Sequence, residues 1–306
     1  MQTLEALQRQ IDSAEDLQSV VKTMKAIAAV SIRQYEKATE SIRQYNRAVE
    51  MGLQALLKKR QPKERGQPRP EPPAGVVVFG SAQGMCGQFN EELTRYTSEN
   101  LRSRGLSSDD IVLAGAGVKA AGLMEARGFP AERTLAVPNS VEAINGGVQN
   151  ILALIQQWRS ERGIEWLLLY YNEFQGGASF ESTSHQLLPL GREWLRHLAD
   201  KKWQSRALPT YRGDWQQAFS GFVQQHLFVT LYRALSESLT SENASRLAAM
   251  QGAEKNIDER LEGLQEIFNR RRQDSITSEL LDIASGYEAL RGDDEEEDDD
   301  GSEASV

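Results

Sequence analysis

A single cysteine, Cys86, stands in 306 residues, which excludes a disulfide framework within the chain. No run of eighteen apolar residues occurs, so no segment reads as a membrane span. The first residues, MQTLEALQRQIDSAEDLQ, are polar and acidic. They have neither the charged-then-apolar order of a secretory signal nor the basic character of a transit peptide, and the cytoplasmic side is expected. Histidine is scarce: His185, His197 and His226 are scattered without metal-ligand spacing. No Ser/His/Asp grouping is readable either, and no metal or cofactor is expected. The net charge of −9 implies less than it suggests, because DDEEEDDD (293–300) and Glu303 supply all nine of those charges. Residues 1–292 are formally neutral, which argues against a nucleic-acid surface. The acidic run itself reads as a solvated, disordered tract.

Proline is missing from two long stretches. All nine prolines lie between Pro62 and Pro209, leaving 1–61 and 210–292 free of them. Since proline breaks helix interiors, long helices are expected at both ends. The first stretch carries a seam at seven-residue spacing: Leu7, Ala14, Val21, Ala28, Tyr35, Ile42, Val49 and Leu56. The last carries Leu247, Met250, Ile257, Leu261, Leu264 and Phe268 at alternating three- and four-residue steps, interrupted only by Glu254. Such seams predict a coiled coil, and helices this long need a partner to bury their stripes. The two flanks are therefore expected to pair with each other, antiparallel.

The middle is different. PKERGQPRPEPPAG (62–75) reads as a Pro-rich linker. VVVF (76–79), IVLA (111–114), RTLAV (133–137) and WLLLYY (166–171) then read as strands. Helical patterns lie between them at 91–104, 118–127 and 140–160, and FESTSHQLLPL (180–190) reads as an edge strand. Strand alternating with helix predicts βαβ units and a mainly parallel sheet. The boundaries are an N-terminal coiled-coil helix over 1–61, a linker over 62–75, an α/β domain over 76–209, a C-terminal coiled-coil helix over 210–291 and an acidic tail over 292–306.

GSAQGMCGQFN (80–90) is the best enzymatic candidate, a glycine-rich turn between strand and helix. It lacks the G-x-G-x-x-G spacing and the Gly-Lys-Ser/Thr ending of phosphate loops, and no Lys or Arg occurs from Gly75 to Glu91. A phosphate would rest on backbone donors alone, so a tight turn is the better reading.

The chain resembles the gamma subunit of F-type ATP synthases over nearly its whole length. SVVKTMKAIAAVSIR (19–33) is similar to the family's N-terminal helix, and GMCGQFN (84–90) to its Gly-Leu-Cys-Gly-x-x-Asn loop. SENASRLAAMQGAEKNIDE (241–259) and RRQDSITSELLDIASGYEAL (271–290) resemble its C-terminal helix. The resemblance implies a fold of class α/β: a long antiparallel coiled coil with an inserted Rossmann-like domain. It implies a shaft with no active site of its own, turning inside a ring of alpha and beta subunits. The foot would join the epsilon subunit and the c-ring at the cytoplasmic face of a bacterial inner membrane. Contacts to the alpha/beta ring are then expected from Met24, Gln83, Arg246, Arg272, Gln273 and Thr277. Ala82 and Gln83 stand where the family has an Asp-Arg pair, so that charged contact is expected to be absent or moved. The Pro-rich linker and acidic tail also depart from the family and suggest a divergent bacterial branch. Two other readings compete. A coiled-coil scaffold would form a homodimer, and a nucleotide-binding enzyme would bind nucleotide as an isolated chain.

Overall fold

The computed structural model describes residues 3–60, 72–203, 209 and 213–299, with side chains as far as residue 286. Two long helices precede and follow an α/β core in the chain. The first is α1 (Leu4–Lys59). It is followed by β1 (Ala74–Phe79), α2 (Phe89–Ser103), β2 (Ile111–Ala116), α3 (Val118–Ala126), β3 (Arg133–Leu135) and α4 (Val141–Arg162). Next come β4 (Leu167–Gly176), β5 (Ser179–Leu188), α5 (Arg192–Asp200) and the second long helix, α6 (Trp215–Asp299). The chain divides into two compact units, residues 24–251 and residues 1–23 with 252–306.

The larger unit is built on a five-stranded sheet of order β3-β2-β1-β4-β5. The first four strands are parallel, and β5 returns antiparallel along β4. Side chains alternate across the sheet. Val77, Phe79, Leu167 and Leu169 face one way, against α4 (Ile151, Trp158) and α6 (Leu231, Leu235). Val76, Val78, Leu168 and Tyr170 face the other, against Leu93 and Leu101 of α2 and Met124 of α3. Burial on both faces explains why these strands read as continuous apolar runs.

In the same unit the seam of α1 is buried at Ala28, Tyr35, Val49 and Leu56. Tyr45 Oη donates to Gln225 Oε1 at 2.8 Å, and Trp215 Nε1 donates to the Leu56 carbonyl at 3.2 Å. Residue numbers rise along one helix as they fall along the other, so the pair is antiparallel. The smaller unit repeats the pattern: Leu7 and Ile11 pack with Leu261 and Leu264, flanked by Ala14, Ile257 and Phe268. Gln18 Nε2 donates to Asp258 Oδ1 at 2.5 Å, again antiparallel. Beyond Phe268 the apolar row continues without cover: Ile276, Leu280, Leu281 and Ile283 are 48–70% exposed.

Several boundaries differ from the sequence reading. Ala74 and Gly75 belong to β1 rather than to the linker, because they pair with Ile111 and Val112. Most of the linker, residues 61–71, lies outside the described residues. Strand β4 continues to Gly176, since β5 pairs with it through Ser179. Helix α5, absent from the sequence reading, docks Leu198 and Ala199 on Val49 and Leu53. Helix α6 starts at Trp215 and passes Leu290 and Gly292 to reach Asp299. A lone glycine costs a helix only about 1 kcal/mol, no proline follows, and the glutamates of the acidic run are good helix formers. The rest of the tail, 300–306, is outside the described residues.

Candidate functional site

The order β3-β2-β1-β4-β5 reverses direction between β1 and β4. In open α/β sheets the crevice at the carboxyl ends of the strands flanking such a reversal is the usual ligand site. Here the chain fills it with its own helix. Ser238 Oγ donates to the carbonyl of Phe79, the last residue of β1, at 2.9 Å. Ser241 Oγ donates to the carbonyl of Asn172 in β4 at 3.0 Å, sharing its proton with Glu237 O at 2.9 Å. Ser245 Oγ donates to the carbonyl of Cys86 in the glycine loop at 2.6 Å. All three serines are buried.

The glycine loop is held as a turn. Asn90 Oδ1 accepts from the Ser81 amide at 3.0 Å, and Asn90 Nδ2 donates to Ser81 Oγ at 2.7 Å. Ser81 Oγ donates in turn to the Gln83 carbonyl at 2.7 Å. Gly117, at φ 93, lets the β2–α3 turn pass under the loop; a side chain there would collide with the Ser81 carbonyl. Cys86 is buried, and burial pushes its thiol above the ordinary range, which makes it a poor nucleophile. Met85 sits at φ 59 with its side chain 65% exposed at the loop tip. Left-handed backbone at a non-glycine residue is the kind of strain found at contact sites.

Three of the six expected contact residues come together. Met24, Gln83 and Arg246 line one cleft of about 220 Å³, with Tyr35, Asn139 and Glu242. Gln83 is exposed and Met24 half-buried. Arg246 is engaged inside the chain, where its Nη2 lies 2.6 Å from Glu242 Oε1 and 3.5 Å from the Gly84 carbonyl. Burial raises the Glu242 carboxyl even against that guanidinium. Arg246 thus bonds within its own chain, to the glycine loop and to α6, while lining the same cleft as Met24 and Gln83. Arg272, Gln273 and Thr277 belong to the smaller unit and are exposed on α6, where Thr277 Oγ1 donates to the Gln273 carbonyl at 2.9 Å.

Two histidines that look scattered in sequence share a cavity. His185 of β5 and His226 of α6 line about 430 Å³ with Tyr171, Trp194 and Arg233. His226 stacks on Trp194 with centroids 4.5 Å apart. Burial, reinforced by His185, lowers its pKa to about 4.

The fold is a doubly wound α/β sheet whose carboxyl-end crevice is bonded by a long helix of the same chain. A family described as ATP synthase matches residues 3–290. The ATP synthase gamma chain of Anaeromyxobacter dehalogenans is 28% identical over 299 residues, covering 95% of this chain and all of the relative. That of Staphylococcus haemolyticus is 24% identical over 297 residues with the same coverage. Among solved structures, a chain of the Euglena gracilis mitochondrial ATP synthase (OSCP/F1/c-ring) has a TM-score of 0.65 at 18% identity, covering 95% of both chains. A rotor chain of the same organism's enzyme has a TM-score of 0.61 at 18% identity, covering 89% of this chain and 98% of its own length. The chain belongs to the ATP synthase gamma-chain family.

The sequence reading missed the serine row. Its signal was present, since 238, 241 and 245 fall on one helical face, but hydroxyls at that spacing read as solvent-facing.

Proposed function

We propose that this chain turns inside an alpha/beta ring and passes its rotation, through a foot, to the epsilon subunit and a c-ring at the cytoplasmic face of a bacterial membrane. The central-shaft role in an F-type ATP synthase follows from family membership over nearly the whole chain. The observation that carries the rest is the plugged crevice. An α/β domain whose ligand site is occupied by the shaft helix works as a mount for that helix. Among the described residues no helix is long and apolar enough to cross a membrane, so attachment to a membrane sector rests on protein contacts.

Met24, Gln83 and the exposed Met85 support one contact area for the ring, and Arg272, Gln273 and Thr277 a second. Ala82 and Gln83 supply no charge to the first, whose charged groups are the paired Glu242 and Arg246. An asymmetric shaft can then drive each catalytic beta subunit through discrete conformations in turn. Affinity purification from the native membrane, with a tag on this chain, tests the reading. Alpha, beta and epsilon subunits and the c-ring should co-purify with an ATPase activity. Recovery of the chain as a homodimer without them would favour a scaffold.

A further inference from the structure

We propose that Ser238, Ser241 and Ser245 form the joint through which torque passes between α6 and the α/β domain. The inference rests on the shaft role and locates where, within this chain, the shaft is gripped.

A helix held only by apolar packing resists sliding and rolling weakly, because hydrophobic attraction has no direction. Directed hydrogen bonds resist rotation about the helix axis. At 100° per residue, positions 238, 241 and 245 fall within about 60° of one another on α6. Their hydroxyls reach three separate segments: the end of β1, β4 and the glycine loop. Two of these acceptors lie past the parallel β1–β4 pairing, which ends at Val78 and Tyr170. The serines thus bond carbonyls that this strand pair leaves free, and water is excluded around them.

The acceptors are themselves braced. Asn172 Nδ2 donates to the Phe89 carbonyl at 3.1 Å, and its Oδ1 accepts from Ser182 Oγ at 2.7 Å. Asn172, whose carbonyl accepts from Ser241, is therefore tied to α2 and β5 as well as to its own strand. The Glu242–Arg246 pair adds the Gly84 carbonyl as a fourth, longer contact. A turning load on α6 is resisted by several backbone segments at once.

The test uses the assembled complex. An added Glu161→Cys change, on the exposed end of α4, gives a labelling site for a rotation probe, and the native Cys86 is buried. The angular variance of the probe at the nucleotide-waiting dwell reports torsional stiffness. Replacing Ser238, Ser241 and Ser245 together by Ala is expected to raise that variance at least about twofold, since three directed bonds between α6 and the α/β domain are lost. Ser245→Ala alone should raise it less, and decides the matter if the triple variant does not assemble. Variance equal to the parent's, in the triple variant or, failing its assembly, in Ser245→Ala, overturns the proposal. Rotation by the parent complex, measured in the same experiment, separates this result from failure of the shaft reading.

Discussion

From Ser236 to Arg246, α6 is rich in hydroxyls and carries Glu237, Glu242, Asn243 and Arg246, yet all eleven residues are buried. From Ile276 to Ile283 the same helix carries Ile276, Leu280, Leu281 and Ile283, and these are 48–70% exposed. Polarity and burial are inverted between the two stretches, for opposite reasons. The first meets strand ends, whose carbonyls need donors, so a polar helix is what fits there. The second lies beyond Phe268, the last residue of the seam packed with α1. Among the described residues nothing covers its apolar row, and an exposed apolar row of this kind suits a contact with another protein. On the proposed reading, one stretch serves the chain's own rigidity and the other its assembly.

Substitutions in the two stretches should therefore have different consequences. The largest effect is expected at the buried pair. Arg246→Ala leaves Glu242 buried without its counter-charge, and about 3–5 kcal/mol of stability should be lost near pH 7.5, read from the urea midpoint. The Glu242 carboxyl is raised already and should rise further in the variant. Between its unfolded value and that raised value the folded chain binds the proton that the unfolded chain releases. The deficit relative to the parent should therefore shrink as pH falls toward 4.5. A loss under about 1 kcal/mol would contradict a tightly held cluster.

The His226 cavity gives the next effect. Its imidazole is neutral in the fold, with a pKa of about 4 against an ordinary 6.5. As pH drops through that window the unfolded chain takes up a proton that the folded chain refuses. Stability should fall, by up to about 3 kcal/mol, and level off below pH 4. His226→Phe should flatten most of this slope in urea titrations from pH 7 to 4.5. An equal slope in the variant would assign the dependence elsewhere.

On the exposed stretch the order of effects reverses. Arg272→Ala with Gln273→Ala should change the chain's own stability by less than about 0.5 kcal/mol. The same double variant should lower ATPase turnover of the assembled complex at least about tenfold, the size expected from losing one charge-assisted bond. Unchanged turnover in an intact complex would remove these residues from the ring contact.

Truncation after Arg291 should have the smallest effect, with turnover within about twofold of the parent at any salt, because neighbouring acids repel and offer no apolar face. A large rise in rate, reproduced in the full-length complex by high salt, would reveal an electrostatic brake.

The long seams, the strands and the edge strand were legible because burial on one face or on both writes a period into the sequence. The coming together of His185 and His226 was not, since 41 positions separate β5 from α6 there and only the fold closes that distance. Nor was the serine row, whose meaning depends on strand ends more than 60 positions away. The family pattern picks out Arg246 as a ring contact, but not its bond to the Gly84 carbonyl 162 positions away. Helix α5 hid its nine residues between Pro189 and a stretch of mixed polarity.

The most direct test of the account is single-molecule rotation with the probe on the α/β domain of this chain, in a complex whose ring is fixed to a surface and supplied with ATP. The account predicts unidirectional stepping that stops when ATP is withdrawn, with no nucleotide bound by the isolated chain. Hydrolysis by the intact complex while the probe remains still, or only diffuses without direction, would contradict it.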